Sequence, residues 1–139
     1  METARLKWEM KGRLKILVVE DNPELRRLYA LGLNRRGFEV KLAANGAEAL
    51  TRVEHERPDL VLLDLIMPVM SGWELLEKIN PVDGSDMIPV IVLTGHSIEE
   101  TEDMHHAVLG VLFKPITIAE LVETITEKLS APVQLPPRT

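Results

Sequence analysis

Short apolar runs of strand length recur along the chain, separated by longer stretches of mixed character. Five such runs occur, at positions 14–19, 38–43, 60–63, 90–93 and 109–113. Two of them, the first and the fourth, show no polar alternation, which is typical of strands covered on both faces. The pattern therefore predicts a parallel five-stranded sheet lying between two layers of helix.

Helix signals lie between the runs. Asn22 can cap a first helix and Pro23 suits its first position, while Gly37, preceded by two arginines, marks its end. Asn45 predicts the cap of a second helix that runs to about His55.

The second half of the chain carries three more predicted helices. Ser71 and Gly72 lead into the third, and a short, acidic, weakly amphipathic fourth helix is expected over about 97–106. Thr117 is the predicted cap of the last helix. One face of that helix is an apolar stripe, made of Ile118, Leu121, Val122, Ile125 and Leu129.

Five successive strand–helix units predict an α/β fold. Because crossovers between parallel strands are right-handed, the expected architecture is a doubly wound (βα)5 sandwich of three layers. We expect a single domain at 14–130, preceded by a linker or N-terminal extension at 1–13. The three prolines of 131–139 predict a flexible tail.

Composition excludes several classes of function. The formal net charge of −6 argues against a nucleic-acid partner, and the absence of cysteine excludes disulfides and thiolate zinc sites. No apolar run reaches the roughly 18–20 residues of a membrane span, and the N-terminus lacks the apolar stretch of a secretory signal. We therefore expect a cytoplasmic location, with no membrane segment in this part of the chain.

Polar and charged residues follow the strands where each one ends. Glu20 and Asp21 follow the first, Asp64 the third, Thr94 the fourth and Lys114 the fifth. In doubly wound sheets the ligand site lies beyond the carboxyl ends of the strands. These side chains are therefore expected to converge on one edge of the sheet.

Three carboxylates at one edge repel each other, by about 4 kcal/mol for a pair at about 4 Å and an effective dielectric constant near 20. A divalent cation relieves this repulsion, and an all-oxygen ligand set suits Mg²⁺ or Mn²⁺. An aspartate such as Asp64 can act as a covalent phosphoryl acceptor. Lys114 could pair with Asp64 or with a phosphoryl oxygen, and Thr94 could donate a hydrogen bond to another oxygen.

Each of these residues alone has an ordinary structural explanation. Glu20 and Asp21 could simply begin a polar loop, Asp64 could cap a helix, and the turn after Lys114 needs no function. The ordered combination of acids, hydroxyl and amine is what favours phosphoryl chemistry.

The same residues resemble the response-regulator receiver family of two-component signalling, over roughly residues 14–130. The matching strings are KILVVEDNPELRRLY at 15–29, PDLVLLDLIMPVMSGWELL at 58–76, PVIVLTG at 89–95 and LFKP at 112–115. The resemblance implies a flavodoxin-like fold, similar to that of the chemotaxis response regulator.

The resemblance also implies a role for each matching position. Asp64 would be the phosphorylated residue. Asp21 would bind Mg²⁺ directly and Glu20 mainly through water, with the backbone carbonyl of Ile66 as a further ligand. Thr94 and Lys114 would contact the phosphoryl group.

The loops around the site are implied in the same way. The peptide bond between Lys114 and Pro115 is expected to be cis. Met67, Pro68 and Gly72 would shape the loop behind Asp64.

The sequence also departs from the family pattern. Val111 stands where the family often has a tyrosine or phenylalanine that swings inward on phosphorylation. Gly95 follows Thr94, and Ile66 and His96 occupy positions that help to set the dephosphorylation rate. Ile66 offers no group to orient a water, whereas His96 could do so or could simply be exposed.

The function implied is a phosphorelay receiver that accepts a phosphoryl group from a histidine kinase or a histidine phosphotransfer protein. It would be a signalling switch rather than an enzyme, with a possible homodimer through the fourth helix, the fifth strand and the last helix. Two alternatives stay open: an aspartyl-nucleophile phosphatase, whose second acid would fall at Ile66, and an interaction module that is never phosphorylated. The chain could be a stand-alone receiver or a piece of a larger regulator or hybrid kinase.

Overall fold

Five parallel strands form one sheet in the computed structural model, which describes residues 13–65, 70–80, 87–95 and 107–134. The strands are β1 Lys15–Val19, β2 Glu39–Ala43, β3 Leu60–Asp64, β4 Val90–Thr94 and β5 Val108–Phe113. Their order across the sheet is β2-β1-β3-β4-β5, and every neighbouring pair is parallel. The predicted parallel five-stranded sheet is confirmed.

Four helices are found within the described residues: α1 Pro23–Arg35, α2 Gly46–His55, α3 Gly72–Ile79 and α4 Ile118–Gln134. Each begins where the sequence predicts. The helix expected over 97–106 lies outside the described part of the chain.

Both ends of α1 are closed by local hydrogen bonds. The Asn22 side chain accepts from two backbone N–H groups of the first turn, at 2.9 and 3.1 Å. At the other end Gly37 has a φ of 95°, and its N–H donates to Asn34 O at 3.1 Å. The N–H of Phe38 donates to Leu33 O at 3.2 Å, which completes a Schellman motif. The Asn22 cap sets where α1 begins, two residues after Asp21, and the Schellman motif sets where it ends.

The sheet is buried on both faces, because neighbouring residues of each central strand point to opposite sides. On one side α2 and α3 cover a core that includes Leu17, Val61 and Val92. On the other side α1 and α4 cover a core that includes Ile16, Leu62 and Ile91. The result is the predicted three-layer sandwich.

The last helix extends further than predicted. We expected a flexible tail at 131–139, but α4 continues to Gln134, and only 135–139 lie outside the described residues. A proline inside a helix removes one N–H donor and can bend the helix without ending it. The helix passes through Pro132 and ends two residues later.

The strand order places the site. β1 lies between β2 and β3, so the order of strands reverses at β1. The carboxyl ends of β1 and β3 are adjacent there, and the ends of β4 and β5 follow along the same edge.

Candidate functional site

Three acids meet at the carboxyl edge of the sheet. Glu20 and Asp21 follow β1, and Asp64 is the last residue of β3. Each offers a carboxylate oxygen, and these three oxygens lie within 4.8 Å of one another. Glu20 and Asp64 are buried, at 1% and 6% exposed, whereas Asp21 is exposed. The predicted convergence of these acids is therefore observed.

Lys114 reaches the acids from the end of β5. Its Nζ donates to Glu20 Oε1 at 2.7 Å and lies 3.5 Å from Asp64 Oδ2. Its backbone N–H donates to Thr94 O at 2.8 Å, and the peptide bond that follows, to Pro115, is cis. The sequence predicted that Lys114 could pair with Asp64 or with a phosphoryl oxygen. In the structure its ammonium lies near Asp64, but the carboxylate of Glu20 is closer.

The carboxylates keep Lys114 charged. Burial lowers the pKa of the Lys114 ammonium, but the hydrogen bond to Glu20 and the charges of Glu20 and Asp64 together raise that pKa above its usual value. One ammonium thus pairs with two of the three carboxylates, and negative charge remains in excess among these four groups.

The start of α1 holds Glu20 and Asp21 in place. The backbone N–H of Asn22 donates to Glu20 Oε2 at 3.1 Å. Arg26, one turn into the helix, donates from Nη1 to Glu20 O at 2.8 Å and to Asp21 O at 3.3 Å. Both oxygens of the Glu20 carboxylate therefore have a donor, which accounts for a buried acid at this position.

Thr94 and Gly95 lie at the carboxyl end of β4, the strand next to β3. Thr94 ends β4 and is fully buried. A Cβ added at Gly95 would meet nothing within 4 Å. The backbone directly after Thr94 therefore has open space beside Gly95.

Gly72 lies against the backbone that follows Asp64. Its N–H donates to Leu65 O at 2.9 Å, and a Cβ there would lie 2.7 Å from Leu65 Cα and 2.9 Å from Asp64 O. Ser71 caps α3 at this point through a capping box with Glu74. The N-terminus of α3 is thus packed directly behind the candidate acceptor.

Of the remaining predicted site residues, one packs against a core and four lie outside the described residues. Val111 is partly buried and packs on the α2–α3 side of the sheet. Ile66, Met67, Pro68 and His96 lie outside the described part of the chain.

Two residues of α1 border the site without having been predicted. Arg26 holds the Glu20 and Asp21 carbonyls, and Tyr29 is buried within electrostatic reach of Lys114, Glu20 and Asp64. The two are three positions apart, which places them on one face of the helix. This spacing can be read from the sequence, but it does not show which residues that face of α1 contacts.

The donor set fits a hard divalent cation. Glu20, Asp21 and Asp64 supply carboxylate oxygens only, and the carboxylates outnumber the ammonium of Lys114 beside them. Oxygen ligands with an excess of negative charge are what Mg²⁺ binds in proteins.

Comparison with known proteins agrees with this arrangement. A model of the response regulator receiver domain matches residues 16–126. The chain belongs to this family. It is a receiver of the two-component type, with the flavodoxin-like fold that the resemblance implied.

Curated relatives of this receiver include both short and long proteins. It is 36% identical over 119 residues to sporulation initiation phosphotransferase F of Bacillus subtilis, covering 83% of this chain and 93% of that protein. It is 35% identical over 124 residues to the DNA-binding response regulator MtrA of Mycolicibacterium smegmatis, covering 84% of this chain. That alignment covers only 51% of MtrA, so the receiver spans about half the length of this relative.

Solved structures show the same fold. The chemotaxis response regulator CheY4 of Vibrio cholerae is 30% identical with a TM-score of 0.75, covering 84% of this chain and 98% of that one. The response regulator TrrA of Thermotoga maritima, in complex with Mg²⁺-BeF, is 33% identical with a TM-score of 0.72. That match covers 83% of the receiver and 98% of TrrA. Within the described residues of the receiver, no helix is both long and apolar enough to cross a membrane.

Proposed function

We propose that Asp64 accepts a phosphoryl group from the phosphohistidine of a cytoplasmic histidine kinase or histidine phosphotransfer protein. The observation that carries the proposal is the position of this buried carboxylate. It lies 3.5 Å from the Lys114 ammonium and within 4.8 Å of carboxylate oxygens from Glu20 and Asp21. A structural aspartate has no need of two further acids and a lysine at this distance.

Glu20, Asp21 and Asp64 would hold Mg²⁺, with the Ile66 carbonyl as the further ligand that the family implies. When bound, the ion supplies positive charge that neutralises the oxygens of the transferring phosphoryl group. Mn²⁺ suits the same oxygen donors.

The transfer requires little covalent chemistry from the protein itself. A carboxylate oxygen of Asp64 forms a bond to phosphorus while the bond from phosphorus to the donor imidazole nitrogen breaks. The electron pair of that bond returns to the imidazole, and Asp64 becomes an acyl phosphate. Catalysis then rests on position and charge rather than on a general base.

Lys114 and Thr94 provide that charge and position. The Lys114 ammonium is already held between Glu20 and Asp64, so a short movement would bring it to a phosphoryl oxygen. The buried Thr94 hydroxyl would donate to another oxygen. The new contacts would favour one arrangement of the β4–β5 edge over another, and this shift of population would carry the signal. It would extend to any dimer formed through the predicted fourth helix, the fifth strand and the last helix.

The proposal is tested by intact-protein mass spectrometry after incubation with acetyl phosphate or phosphoramidate and Mg²⁺. We expect one added phosphoryl group in the wild type and none in Asp64→Asn. Asp59→Asn is the matched control, because its amide oxygen can still accept the Lys15 N–H bond that Asp59 accepts at 2.8 Å. That control should be phosphorylated normally. An unmodified wild type with every donor, or a phosphorylated Asp64→Asn, would contradict the proposal.

A further inference from the structure

Arg26 donates to the backbone carbonyls of the three successive residues that follow β1. Its Nη1 atom donates to Glu20 O at 2.8 Å and to Asp21 O at 3.3 Å. Its own backbone N–H donates to Asn22 O at 2.9 Å. Arg26 is partly buried, whereas Arg27, the next residue of α1, is exposed. One residue of α1 thus holds the loop that carries Glu20 and Asp21.

The held carbonyls restrain the direction of the Asp21 side chain. A peptide unit is planar, so a carbonyl oxygen held in one place fixes the orientation of its whole unit. The Cα atom of Asp21 joins the unit that contains Glu20 O to the unit that contains Asp21 O. Because Arg26 holds both units, it restrains the backbone dihedral angles of Asp21 and, with them, the direction of the Cα–Cβ bond.

The Asp21 side chain ends among the acids. Asp21 is exposed, yet one of its carboxylate oxygens lies within 4.8 Å of oxygens from Glu20 and Asp64. The buried Glu20 carboxylate has a donor on each of its oxygens. Asp21 is instead held through its backbone, by the hydrogen bond from Arg26 to its carbonyl. The position of this exposed carboxylate therefore depends on the loop, and the loop depends on Arg26.

The charge of Arg26 acts on a bound cation in the opposite direction. A guanidinium near the acids repels Mg²⁺, so charge alone would weaken the binding of the ion. Orientation strengthens it, because carboxylates that are already in place lose less conformational entropy when the ion binds. The sign of the change in Mg²⁺ affinity when Arg26 is removed therefore separates the two effects.

We propose that Arg26 is a positioning residue that orients the Asp21 carboxylate for Mg²⁺ before the ion binds. The inference rests on the proposed function and deepens it, because it gives α1 a part in setting the metal affinity. The two hydrogen bonds from the guanidinium to the loop carbonyls carry this role, and their effect exceeds the repulsion between the guanidinium and the ion.

The first test is the Kd of Mg²⁺, measured by NMR titration of the ¹⁵N-labelled protein at constant ionic strength. Arg26→Met keeps an unbranched, helix-forming side chain and loses both hydrogen bonds, so the Kd should rise by roughly ten-fold. Arg26→Lys keeps a donor and should lie between Arg26→Met and the wild type. Arg27→Met is the matched control, because it removes the same charge from an exposed neighbour. Its Kd should stay within about two-fold of the wild type.

The second test needs no metal. The Asn22 N–H donates to Glu20 Oε2 at 3.1 Å, and the Ala44 N–H, which follows β2, donates to Glu48 Oε1 at 2.8 Å. Both are loop amides bound to a glutamate carboxylate at the same edge of the sheet. In metal-free Arg26→Met, hydrogen exchange at Asn22 should be faster by roughly two- to ten-fold, and exchange at Ala44 should be unchanged. A general loss of stability would instead speed exchange at both amides.

The two tests separate this inference from the proposed function. A wild type whose resonances do not respond to Mg²⁺ contradicts the proposed function, while exchange at Asn22 still tests the hold of Arg26 on the loop. If the wild type binds Mg²⁺, an Arg26→Met variant that binds the ion equally or more tightly overturns the positioning role. An unchanged exchange rate at Asn22 in that variant overturns it as well.

Discussion

At the scale of single residues, the distances around Asp64 set which substitutions the site tolerates. Lys114 stands 2.7 Å from Glu20 and 3.5 Å from Asp64, so the buried glutamate holds the ammonium ready beside the acceptor. Behind the acceptor, Gly72 leaves no room for a side chain. The acceptor thus has a movable cation on one side and closely packed backbone on the other.

Gly72→Ala should destabilise the protein and disturb Asp64. The added Cβ would meet backbone atoms of Leu65 and Asp64 at 2.7 and 2.9 Å, and backbone cannot move aside as a flexible side chain can. We expect a loss of about 1–3 kcal/mol in the free energy of unfolding, measured by urea denaturation, together with slower phosphoryl uptake. Gly95→Ala is the control, because its Cβ would enter open space. Equal stability of the two variants would contradict this account of Gly72.

At the scale of elements, local signals predicted the strands and most helix starts. The β-branched runs and the caps Asn22, Asn45 and Ser71 have local causes, so they could be recognised without a fold. The end of α4 could not, because Pro132 weakens a helix without deciding where it ends.

The sequence alone also could not show which side chains pair with loop backbone. Asn80, fully buried, exchanges two hydrogen bonds with the backbone of Ile88, at 2.6 and 3.0 Å. Nothing in the residues near Asn80 indicates this partner. In the same way, the sequence predicted that Asp64 and Lys114 meet at one edge of the sheet. The closer pairing of Lys114 with Glu20 is visible only in the structure.

The hydrogen bonds at the start of α4 make the free energy of unfolding depend on pH in the acidic range. The Thr117 N–H donates to Glu120 Oε1 at 2.9 Å, and the Glu120 N–H donates to Thr117 Oγ at 3.0 Å. The backbone and side-chain hydrogen bonds from Thr117 lower the pKa of Glu120 below its usual 4.5. A carboxyl with a lowered pKa in the folded state adds stability above its unfolded pKa, and this is lost as the pH falls through the folded value.

Glu120→Gln should therefore be less stable than the wild type at pH 7, and the difference should shrink below about pH 4.5. Urea denaturation at a series of pH values measures it. Glu123→Gln, an exposed position on the same helix, is the control and should follow the wild type across the range. A Glu120→Gln difference that is constant with pH would contradict the capping interaction.

At the scale of the whole molecule, the two cores and the acidic edge have opposite effects on stability. The sheet is covered on both faces, and this packing holds three carboxylates together at the switch point in strand order. Like charges at this distance oppose folding, and the Lys114 ammonium offsets only part of the repulsion. Packing in the two cores thus offsets the repulsion at the acidic edge. A cation bound among the carboxylates should make the folded protein more stable.

Mg²⁺ should therefore raise the unfolding temperature of the wild type. A ligand that binds only the folded state adds about 2.7 kcal/mol at a concentration of 100 times its Kd. Asp21→Asn should lose this gain, since one ligand is removed. Without Mg²⁺ it should be slightly more stable than the wild type, because Glu20 and Asp64 lose a like-charged neighbour.

Glu54→Gln serves as the control, since it removes one exposed carboxylate from α2 and leaves the acidic edge intact. Differential scanning fluorimetry with and without Mg²⁺, at constant ionic strength, compares the three proteins. Glu54→Gln should gain as much from Mg²⁺ as the wild type does. If Asp21→Asn also gained as much, Mg²⁺ would be acting by screening the net charge of −6 and not by binding at the acids.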